Sequence, residues 1–127
     1  MSDHHGTIFW TELATRDVAA AREYYAATCG WTYDEMTMQD GGTYVTAMKG
    51  EQMVCGIFDM SREPMMAELP PHWSTYIGVE DVDQVVAQAA KRGATVIRPA
   101  WDIPHVGRIA IIADPSGAPV GIMTPSE

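Results

Sequence analysis

Helical spacing of apolar residues occurs twice in this chain and only twice, and the same order of elements surrounds both occurrences. In DVAAAREYYAATCG, Ala21, Tyr24, Tyr25 and Thr28 stand at i, i+3, i+4 and i+7, and in DVDQVVAQAAKRG, Val82, Val85, Val86 and Ala89 repeat that spacing. Tyr24, Val85 and Val86 are accordingly assigned to the core. Asp17 and Asp81 precede the helices as N-caps, and Gly30 and Gly93 follow them, where a left-handed conformation costs glycine little. Strand-like runs flank each helix: IFWTELA before the first and WTYDEMTM, TYVTAMK and QMVCGIF after it, then WSTYIGV before the second and TVIRPA, RIAIIA and PVGIM after it.

Each half therefore reads β-α-β-β-β. An offset of 65 residues pairs Gly42 with Gly107, Gly56 with Gly121 and Ile57 with Ile122, while an offset of 64 pairs Asp17 with Asp81. Module one is expected over about 7–60 and module two over about 72–124; between them MSREPMMAELPP, with three prolines and no alternation, reads as a linker over about 61–71. At 127 residues the chain suits one domain built from two modules, each too small to bury a sheet by itself.

Eight Lys and Arg against 17 Asp and Glu give a net charge of −9, which disfavours nucleic acid and anionic lipid as partners. No apolar run reaches the roughly 18–20 residues of a membrane helix, and MSDHHGT has neither the basic nor the apolar region of a secretion signal, so a cytoplasmic protein is expected. Cys29 and Cys55 form no CxxC and no zinc spacing, and they read as buried thiols.

Trp10-Thr11-Glu12-Leu13, Asp17, Tyr24-Tyr25, Gly30-Trp31, the run Tyr76–Asp83 and the run Gly107–Gly121 together resemble the vicinal oxygen chelate superfamily, which includes glyoxalase I, extradiol dioxygenases and bleomycin-resistance proteins. The resemblance implies an α+β fold in which tandem βαβββ modules form an open, curved-sheet barrel around a central cavity, with the helices on its convex side. It also implies a divalent ion held by His or Glu from the first and fourth strand of each module. Carried over, those positions are Trp10, Ser74, Gly56 and Gly121, none of which supplies an imidazole or carboxylate. No metal cofactor is therefore expected. A rearranged site would have to draw on Glu12, His72 or His105, which lack a diagnostic spacing. His72 also reads as a strand-entry residue, His105 as a loop residue, and His4 and His5 as a frayed terminus.

Strand alternation separates Thr11, Leu13 and Thr15 from Trp10, Glu12 and Ala14. With the former set under the helix, Trp10 and Glu12 face the cavity, joined by Tyr44, His72, Tyr76 and Arg108 as candidate ligand-binding residues. Aromatic walls with one carboxylate suit a small aromatic or cationic molecule. In the alternative reading Glu12 is the general base of a glyoxalase-type lyase or isomerase, with Tyr76 or Arg108 stabilising an oxyanion. Packing alone could also hold Trp10 and Glu12. A homodimer is expected, joined through an edge strand or the Met-rich stretch 60–66.

Overall fold

A computed structural model describes residues 4–38, 41–103 and 106–126. The chain is α+β with two βαβββ modules. In order, these contain β1 (Ile8–Thr15), α1 (Val18–Cys29), β2 (Thr32–Thr37), β3 (Thr43–Lys49) and β4 (Gln52–Asp59), then β5 (His72–Gly78), α2 (Val82–Lys91), β6 (Thr95–Ile103), β7 (Gly107–Ala113) and β8 (Pro119–Pro125). Both caps form as the sequence dictates: Asp17 accepts from the Ala20 N–H and Asp81 from the Gln84 N–H. Gly30 takes the left-handed conformation that ends α1, at φ 76°. No described helix is long and apolar enough to cross a membrane.

The chain forms two compact units, Thr11–Trp73 and a second comprising Ser74 onward with the N-terminal residues up to Trp10. In the first, the strand order is β2-β3-β4-β1. β1 runs parallel to β4, with Glu12 opposite Gly56 and Leu13 opposite Ile57, while β3 is antiparallel to both β2 and β4. Leu13, Val45 and Ile57 form the core on the α1 side, where Val18, Ala21, Tyr25 and Tyr33 close over them. Tyr24 departs from its core assignment and is 59% exposed. The inward stripe is Val18, Ala21 and Tyr25; Tyr24 lies about 100° around the helix from Tyr25 and meets that ring only edge-on.

The proline-rich segment is anchored to this unit. It forms two short 3-10 turns, Met60–Arg62 and Pro64–Met66. The Arg16 guanidinium donates to the carbonyls of Met66, Ala67 and Leu69 at 3.0, 3.2 and 2.8 Å. Met60 is 1% exposed, so that end of the methionine stretch belongs to its own core.

In the second unit the order is β5-β8-β7-β6, with β5 parallel to β8 and Tyr76 opposite Gly121. Val79, Val82, Ala110 and Ile122 form its core, with Val85 and Val86 from α2 packed against it. The N-terminal histidines are held here, contrary to the expected fraying. The Gly6 N–H donates to Gly78 O at 2.7 Å, His4 Nε2 donates to Val79 O at 3.2 Å, and His5 Nδ1 accepts from the Glu80 N–H at 3.0 Å.

Both cysteines are free, but only Cys55 is buried; Cys29 ends α1 on the exposed side.

Candidate functional site

Leu13 packs toward α1, so alternation along β1 turns Glu12 to the opposite face of the sheet. Its register partner on β4 is Gly56, and Thr46 lies next to Gly56 on β3. Tyr44, two positions earlier on β3, extends its ring across β4 above Gly56. Its phenol donates to Glu12 Oε2 at 2.6 Å. A Cβ at position 56 would overlap the Tyr44 hydroxyl and Cζ, so the missing side chain is the passage the phenol uses. Both Glu12 and Tyr44 are half-buried.

Cys55, beside Gly56 on β4, is 3% exposed. Burial first, and then the negative charge of Glu12, push its thiol from the ordinary 9.0 up to about 11. In a Cys29→Ser background, absorbance titration of the thiolate should find a midpoint near 11, and Glu12→Gln should lower it. An unchanged midpoint would show that the carboxylate does not reach the thiol. Because folding favours the neutral thiol, its stabilising contribution is complete below pH 9 and is lost as pH rises through about 11.

In the second unit a tyrosine also covers a glycine, but from the neighbouring strand, where Tyr76 of β5 is in register with Gly121 of β8. Its ring lies over Gly121, where a Cβ would overlap Cδ1 and Cε1. Tyr76, Ile109 and Met123 form a buried cluster, with Trp10, Trp101 and Ile111 packed around it. The structure thus gives Trp10 an apolar packing role beside Tyr76. Arg98 stacks on Trp101 at 3.7 Å from the ring centroid.

The remaining sequence candidates lie elsewhere. Arg108 donates twice to Asp83 of α2, at 2.9 and 3.0 Å, and once to Asp102 at 3.1 Å. Those two carboxylates push its pKa further up and place it on the α2 side of β7, opposite Ile109 and Tyr76. His72 Nδ1 donates to Pro70 O at 2.8 Å, as a strand-entry residue would. His105 lies outside the described residues. The link from Tyr44 to Glu12 is the relation that sequence reasoning missed. A lone glycine inside the apolar strand QMVCGIF was its available signal, since such glycines mark close approach of another group.

The residues at the four implied ligand positions do not fit a divalent ion. Trp10 and Ser74 offer no imidazole or carboxylate, and tyrosine rings cover both glycines. Among the described residues, no three His, Cys, Asp or Glu side chains gather to hold one. A groove of about 580 Å³ lies on the α1 side of the first unit, but Arg22 and Glu35 there are paired with each other. The Glu12 face carries the more informative chemistry.

The family profile described as Glyoxalase/Bleomycin resistance protein/Dioxygenase superfamily matches residues 7–122. "Putative glyoxylase CFP32" of Mycobacterium tuberculosis is 41% identical over 119 residues, covering 92% of this chain and 45% of that protein. "Anthracycline biosynthesis protein DauV" of Streptomyces sp. strain C5 is 28% identical over 123 residues, covering 89% of this chain and 45% of that protein. The chain thus spans about half the length of these curated relatives. Methylmalonyl-CoA epimerase from Mycobacterium tuberculosis shares the fold with a TM-score of 0.67 at 16% identity, covering 100% of this chain and 93% of that one.

Proposed function

Since this chain belongs to the glyoxalase/bleomycin resistance/dioxygenase superfamily, we propose that it is a glyoxalase-like protein that binds a small aromatic cation at Glu12 without the family's usual ligand set. The observation that carries this reading is the Glu12–Tyr44 pair above Gly56. A carboxylate oriented by a phenol is an acceptor, and a negative charge, of set direction for a ligand's N–H groups, and the tyrosine ring beside it offers an apolar wall. Favourable charge is the larger part of this recognition.

Benzamidinium and its neutral analogue benzamide separate the charge from the ring. At about ten times its Kd, benzamidinium should raise Tm by roughly 4 °C, and benzamide should leave it nearly unchanged. Equal shifts with both compounds, or none with benzamidinium, would contradict the reading.

The name of the mycobacterial relatives favours a second reading. Here Glu12 takes the C–H proton of an α-hydroxycarbonyl compound and returns it to the adjacent, former carbonyl carbon, while the hydroxyl proton passes to the other oxygen through the enediol, an isomerisation in which no other reactant is consumed. Loss of turnover with binding retained in Glu12→Gln would select it.

A further inference from the structure

We propose that Tyr44 is the positioning residue for Glu12, and that position 56 is glycine so that the phenol can reach across β4. This rests on Glu12 being the ligand-binding carboxylate. β1 and β3 are not neighbours: β4 lies between them, so they stand about 9–10 Å apart, at two strand spacings. A side chain on β3 meets one on β1 only by crossing β4, and any Cβ at the crossing point blocks the way. Gly56 is that point, because it is in register with Glu12 on one side and Thr46 on the other.

The consequence for Glu12 is conformational. A glutamate side chain turns about three bonds, and a free one would present its oxygens over a wide arc. With Oε2 tied to Tyr44 at 2.6 Å, the carboxylate plane is set before a ligand arrives. At the fourth-strand position, where the superfamily resemblance implies a metal ligand, Gly56 leaves the opening through which a hydroxyl fixes the first-strand carboxylate. An acidic side chain at 56 would displace Tyr44 and set a second negative charge beside Glu12.

Tyr44→Phe keeps the ring and removes the donor, whereas Gly56→Ala keeps the donor and closes its path. A hydroxyl donor favours the charged form of a carboxylate. The 13C carboxyl titration of Glu12 should therefore move to higher pH in both variants relative to wild type. Cys55, neutral until about pH 11, does not change charge across that range. Benzamidinium affinity should fall fivefold or more in both.

If the titration is the same in wild type and Tyr44→Phe, the proposal is overturned whatever binds. It is equally overturned if the titration moves but affinity for benzamidinium does not. Should wild type fail to bind benzamidinium, the functional reading fails, and the carboxyl titration still decides whether Tyr44 positions Glu12. Gly56→Ala is confirmatory, so a folding failure in it leaves the decision with Tyr44→Phe.

Discussion

Gly121→Ala should destabilise the protein by about 3 kcal/mol and lower Tm by roughly 10 °C, and Gly56→Ala should cost clearly less. The asymmetry follows from which part of each tyrosine covers the glycine. At position 121 a new methyl group would fall on Cδ1 and Cε1 of Tyr76, the near side of a ring that is 7% exposed and packed among Ile109, Met123 and Trp10. That ring moves only if its neighbours move, which is the condition under which overpacking is most costly. At position 56 the methyl group meets the hydroxyl end of Tyr44, which swings aside by rotation about its own side-chain bonds. Thermal or urea unfolding of both variants checks the order, and a Gly121→Ala protein as stable as wild type would show that Tyr76 does not lie over Gly121.

Glu12→Gln should weaken benzamidinium binding about 10- to 100-fold, because it exchanges a charge-assisted hydrogen bond for a neutral one at nearly constant shape. The substitution also alters the pair with Tyr44, since an amide offers donors as well as an acceptor. The loss should therefore exceed the loss in Tyr44→Phe, which leaves the charge in place. Titration calorimetry on the three proteins gives the order directly.

Much of the fold was legible because its signals are local. Asp17, Asp81 and Gly30 sit at helix ends, where capping chemistry depends on the neighbouring residues alone, and all three cap as expected. Alternation along β1 correctly separated Leu13 from Glu12, because a strand's two faces follow from residue parity. Tyr24 was misplaced because an apolar stripe read from spacing has two edges, and only packing decides which edge turns inward. The site was less legible, since its defining contact joins residues 32 positions apart on strands that are not adjacent. Gly56 hinted at a close approach without naming the ring that makes it. The partner of Arg108 was equally hard to read, because Asp83 lies on a helix 25 positions earlier. His5 was unreadable for a related reason, as its acceptor role depends on a backbone N–H 75 residues away.

The proposed role of the Glu12 carboxylate is to hold a cationic ligand when no ion is available to help. Calorimetric titration of benzamidinium into wild type and Glu12→Gln, both stripped of metal with chelator, measures this. The predicted result is one site in wild type and an affinity at least about tenfold weaker in Glu12→Gln. Equal affinities in the two proteins, or binding by wild type only after a divalent ion is restored, would contradict it.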